Sequence, residues 1–248
     1  MTSLAFAGIV LASGHDLRLS DRGEDVFERA GFVVEWGAER AEAIKDGAAL
    51  PDAPEISADL FALKVGFSTT LVHEVVLILI VALMTRQQDV RSLMRTFKLN
   101  EFSWGELWVP VVAVIGVYLL TTGYIFAVDA LNVEVLEPRS NVPIEIARDP
   151  LGLALAGVIA LVAAPLGEEI FFRGFMQTGF MKYGTWPAIA ITAMIFAVAH
   201  LSLGAMIPFF IAGAALGWLY WRRGNLWDSI VFHFLFNATS YFILVGTR

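Results

Sequence analysis

No cysteine occurs in the 248 residues. Disulfides, thiolate metal ligands and a cysteine nucleophile are therefore excluded. Charge is also scarce: Asp, Glu, Lys and Arg make up 17% of the chain, against about 25% in an ordinary soluble domain. The basic residues form no patch of the kind nucleic acid requires, and the net charge is −7, so nucleic acid is not an expected partner. There is no internal repeat and no low-complexity tract. The sequence lacks a Gly-x-Ser-x-Gly nucleophile elbow and a phosphate-cradling glycine loop. Nor does it open with the basic start and small-residue cleavage site of a secretory signal.

What it has is apolar length. Hydrophobic residues make up 57% of the chain, above the usual 45–50% or so, and they fall in six runs: 63–85, 107–128, 150–180, 186–201, 205–221 and 226–245. Each approaches the roughly 20 residues that span a bilayer. The expected fold is all-α, a polytopic membrane bundle of about six transmembrane helices over 63–248. A polar N-terminal segment, 1–62, precedes it. Within that segment 4–12 is a short apolar stretch, read as an interfacial anchor or as the remnant of a helix lost to a misplaced start. Short helices are expected at 22–30 and 38–46, before Pro51 and Pro54. Arg86, Arg91, Arg95 and Lys98 crowd the first connector, Lys182 lies in the third, and Arg222 and Arg223 lie in the fifth. With six crossings these share one side, and the positive-inside rule makes that side cytoplasmic in a multi-pass cell-membrane protein. Six tryptophans, Trp104, Trp108, Trp186, Trp218, Trp221 and Trp227, fall near helix ends, as an interfacial belt requires. Gly213 and Gly217 form a small-xxx-small face for close helix packing.

Ionisable groups inside membrane helices are costly, so each calls for an explanation. Glu169 and Arg173 are four apart and can pair on one helix face. Glu168 points about a quarter turn away without that partner, as a general base requires. Pro165 and Gly167 just before it can loosen the helix and admit water. His200 ends the run Phe196-Ala-Val-Ala-His200, and His233 and Asn237 share a face four residues apart. Counting residues on either side of the turn near Gly184 brings Glu168 and His200 to similar depth. His73-Glu74 opens like a zinc-protease HExxH, but position 77 is Leu and the second ligand is missing. That pair is read as helix polarity or a bundle hydrogen bond. One Glu and two His can hold zinc or act as a base with an oxyanion site, and the residues by themselves allow either.

Glu-Glu-x-x-x-Arg, then Phe-x-x-x-His, then His-x-x-x-Asn, in that order on membrane helices, resembles the CPBP family, the CAAX proteases and bacteriocin-processing enzymes also called the ABI family. Its eukaryotic members are the type II CAAX prenyl endopeptidases. The resemblance covers about 150–241. It implies an intramembrane protease acting on a protein or peptide substrate, membrane-associated, prenylated or bacteriocin-like, within the lipid bilayer. Carried over residue by residue, Glu168 is the catalytic glutamate that activates water with His200. His233 and Asn237 stabilise the oxyanion, while Glu169 and Arg173 support the first motif. The family has been described as metalloprotease and as metal-independent. A metal-free site is the expectation here, because it gives Asn237 a role. If a metal is required, zinc on Glu168, His200 and His233 is the alternative. Two other readings use the same residues: a non-catalytic immunity or scaffold protein, and a small transporter.

Overall fold

The computed structural model describes residues 9, 12–13, 38–39, 41–48, 60–87, 89–138, 146–147 and 149–246. The expected helix at 22–30 lies outside these residues, whereas 41–46 are helical. No strand occurs among the described residues.

All six apolar runs are helical. Four helices are long and apolar enough to cross a membrane: Leu60–Met84 (α1), Trp104–Ala130, which begins as a 3-10 turn and continues as Trp108–Ala130 (α3), Pro150–Tyr183 (α4) and Trp227–Gly246 (α7). Thr185–Ala199 (α5) is apolar but has only 15 residues, and Met206–Arg223 (α6) has 18. A short helix, Val90–Thr96 (α2), lies in the basic connector after α1. Local chemistry sets several of the ends. Asp89 and Ser92 form a reciprocal capping box on α2;. Asp149 accepts from the Gly152 N–H at 2.7 Å, with Pro150 at the first position of α4;. At the other end of α6, Gly224 takes the left-handed conformation (φ 71°) that stops the helix, after Arg222 and Arg223;.

The chain divides into two compact units. The described residues among Met1–Leu71, Arg139–Ile159 and Ala238–Arg248 make one, with a core of Leu63, Ile146, Ala147, Leu153, Ala156 and Leu244. Val72–Pro138 and Ala160–Asn237 make the other, which holds every residue of the candidate site. One of its cores is aromatic and aliphatic, with Val117, Phe172, Phe196, Leu216, Leu219 and Phe232 buried together. Around it large apolar side chains stay exposed, among them Leu79, Leu83, Leu119 and Leu120. Such a surface is a liability in water and is at home against lipid tails. Trp104, Trp108, Trp186 and Trp221 are exposed near helix ends, as the aromatic belt requires.

Two features of this unit shape the site. The first is close helix packing. A Cβ on Gly213 would come within 3.0 Å of Ala193 Cα, and one on Gly217 within 2.7 Å of Gln177 Oε1. The small-xxx-small face of α6 thus lies against α5 and α4, as its spacing predicts. The second is the irregularity of α4. Ile159–Ala163 and Glu169–Gln177 are wound as π-helix on either side of Ala164–Glu168. Pro165 lacks the N–H that would reach the carbonyl of residue 161, and its ring crowds that turn, so the helix widens there. Both glutamates stand at the junction of the regular and widened turns.

Candidate active site

Glu169 and Arg173 are fully buried and joined by a bond of 2.9 Å from the guanidinium Nη1 to Oε1. Their i,i+4 spacing predicts this pair. Arg173 Nη2 also donates to the Gly213 carbonyl at 3.3 Å. The guanidinium lies 4.5 Å from the centre of the Phe196 ring, an arrangement that stabilises a desolvated cation. An ion pair held this far from water depends on such additional partners.

His233 on α7 is buried and places Nδ1 2.9 Å from the same Glu169 oxygen. A carboxylate only accepts, so Nδ1–H donates. The sequence reading set His233 with Asn237 around one point and did not include this contact. His233 is oriented by Glu169, and Asn237 Nδ2 donates to the Ala160 carbonyl at 3.0 Å. Ala160 lies in the widened stretch of α4, where backbone carbonyls are poorly served by the helix itself. Asn237 is half-buried and keeps a second N–H and its carbonyl oxygen;.

His200 follows the last residue of α5. Its Nδ1 is 2.8 Å from the Phe196 carbonyl. A carbonyl cannot donate, so Nδ1 carries a proton; in the neutral tautomer with that proton, Nε2 is the nitrogen with the lone pair. The ring is held between Phe209, stacked at 4.0 Å, and Phe196 at 4.5 Å. Phe196 itself, 3% exposed, touches a residue of every motif. Arg173 lies over it, His200 against it, and His233 edge-on at 6.2 Å. The aromatic residue of Phe-x-x-x-His is therefore the spacer around which the three motifs gather.

Glu168 is half-buried, and its Oε2 is buried with no hydrogen-bond partner. It makes no hydrogen bond with the Glu169–Arg173–His233 set, although its charge acts on Arg173. Arg173 Nε and Glu169 Oε2 are also unpaired. One residue that sequence reasoning set aside belongs here. Glu74 of α1 is buried at 3% exposure, and its Oε2 has no partner. It packs on Gly167, where a Cβ would collide with Glu74 Oε2 and lie 3.2 Å from its backbone oxygen. The signal was present: a carboxylate in mid-helix of a membrane span is expensive wherever it has no role.

Among the described residues no three His, Asp or Glu side chains are grouped closely enough to hold a metal ion, and a catalytic zinc requires three protein ligands.

Comparison with known proteins finds one similarity. No curated protein matches the chain, and no solved structure does. The family model described as type II CAAX prenyl endopeptidase Rce1-like matches residues 150–239, the stretch that runs from the start of α4 into α7 and contains all three motifs. Over that stretch, on helices apolar enough for a membrane, the chain is similar to the type II CAAX prenyl endopeptidase Rce1-like domain.

Proposed function

We propose that this protein is an intramembrane endopeptidase that hydrolyses peptide bonds in membrane-associated substrates, prenylated C-terminal segments among them, with water activated by Glu168 and His200. The observation that carries the reading is the gathering of the three family motifs around Phe196. Glu168 makes no hydrogen bond to a cation and is half-buried, as a general base requires;. His200 presents Nε2 as an acceptor because its other nitrogen is bonded to a carbonyl. Together they take a proton from water as its oxygen attacks the peptide carbonyl, and return it to the leaving amine.

His233 and Asn237 serve the oxyanion. The bond from Nδ1–H to Glu169 fixes the imidazole ring for that role. Asn237 contributes the N–H not used by Ala160. Glu169 and Arg173 hold the ring in place from within the bundle. No step passes through a metal.

Purified protein in detergent micelles, assayed on prenylated and unprenylated membrane peptides, tests the reading. Glu168→Gln abolishes cleavage. Asn237→Ala leaves slow turnover, reduced about 10²–10³-fold as for loss of one oxyanion donor. Activity persists in metal-stripped protein with a strong chelator. Loss of turnover that returns with stoichiometric zinc would make the same residues ligands and overturn the metal-free mechanism.

A further inference from the structure

The family motifs account for the carboxylates of α4 but leave Glu74 of α1 without a task. It is almost fully buried, and its Oε2 has no partner. An unpaired carboxylate in a membrane interior is among the costliest groups a bundle can hold. The backbone around it is arranged for close approach: only a glycine at position 167 leaves space for its side chain. The next residue is Glu168, whose Oε2 is likewise buried and unpartnered. Burial acts first on the Glu74 carboxyl, and the charge of Glu168 adds to it.

Nearby donors are engaged or turned elsewhere. Arg173 bonds Glu169 and the Gly213 carbonyl, and its unpaired Nε bonds neither Glu74 nor Glu168. His233 bonds Glu169, and His200 bonds the Phe196 carbonyl. Ionised carboxylates only accept, so two orphan carboxyl oxygens can satisfy each other only if one carries a hydrogen. Two acids that cannot both ionise side by side resolve the conflict in this way.

We propose that Glu74 is a positioning residue for Glu168: its carboxyl carries the hydrogen, donates to the buried oxygen of Glu168, and so turns the other oxygen of Glu168 toward the accessible side of the site. The proposal rests on Glu168 being the general base. It gives the base a fixed orientation that no cation supplies, and it leaves the base charged and reactive.

Infrared spectroscopy of the full chain in micelles tests this without requiring turnover. The wild type shows a protonated-carboxyl band at neutral pH. Glu74→Gln removes it, and Glu168→Gln moves or removes it, because the partner of the hydrogen changes. A wild type without the band, or a band unaltered by Glu168→Gln, overturns the proposal. If Glu74→Gln does not fold, the Glu168→Gln spectrum decides alone. In the peptide assay Glu74→Gln lowers kcat on the order of 10²-fold with KM little changed, the scale of a slightly misplaced catalytic group. An unchanged kcat also overturns the proposal. A wild type that cleaves nothing, yet shows the band and its response to Glu168→Gln, defeats the endopeptidase reading and leaves the carboxyl contact standing.

Discussion

Replacing Arg173 by methionine keeps much of the side-chain volume and removes one charge from a site with no access to water. Arg173 and Glu169 are both fully buried, so solvent does not screen their interaction. Breaking a buried pair from one side typically costs about 3–5 kcal/mol, because the remaining charge stays buried. Here His233 still bonds the same Glu169 oxygen and takes up part of that penalty, which places the expected loss near the lower bound, about 3 kcal/mol. The bond to the Gly213 carbonyl and the contact with the Phe196 ring are lost in the same change. Glu169→Gln strands the guanidinium instead and costs a similar amount. The double variant Glu169→Gln/Arg173→Met carries no charge there, so its loss falls short of the sum of the single losses by up to about 3 kcal/mol. Denaturant unfolding in mixed micelles, followed by fluorescence of the seven tryptophans, measures all three. Where unfolding is irreversible, inactivation half-lives give the same order. Arg173→Met within about 0.5 kcal/mol of the wild type, the range of an ordinary surface change, would overturn the account of a pair held together by mutual need. Additive losses in the double variant would do the same.

Gly167→Ala drives a methyl group into Glu74, and overpacking of this kind costs about 1–3 kcal/mol; thermal melting reads the loss, and melting equal to the wild type would mean that α1 does not press on α4 there. For topology, Met94→Cys in this cysteine-free chain puts a thiol on a side chain 39% exposed in the basic connector. An impermeant maleimide should label it only after the membrane is opened, and labelling of intact cells would reverse the assigned orientation. Phe196→Leu removes the ring that Arg173, His200 and His233 share. It is expected to lower kcat more than it raises KM, and steady-state kinetics showing a KM effect alone would remove Phe196 from the arrangement of the site.

The sequence by itself determined the class of protein and singled out the groups proposed here to do chemistry. Long apolar runs can only be membrane or core, and their number and spacing are plain in the chain. Charges that interrupt such runs are too costly to be accidental, which is why Glu168, Glu169, Arg173, His200 and His233 stood out. Contacts at helical spacing were legible for the same reason: Glu169 with Arg173 is a local pair, set by the rise and turn of a helix whatever surrounds it. Contacts between helices were not. That His233 bonds Glu169, that Asn237 serves Ala160, and that Phe196 joins three motifs all depend on the rotation of one helix against another. The small-xxx-small spacing marks the face of α6 that packs, but it does not encode which groups of the facing helices come opposite one another. Glu74 is the sharpest case. In the chain it is a broken metal motif some ninety residues before Glu168, and its meaning rests on the missing side chain at Gly167. The widening of α4 around Pro165 is likewise a compromise between a local steric clash and the helices packed beside it. Composition and spacing decide which groups enter the membrane; only tertiary packing decides which of them meet.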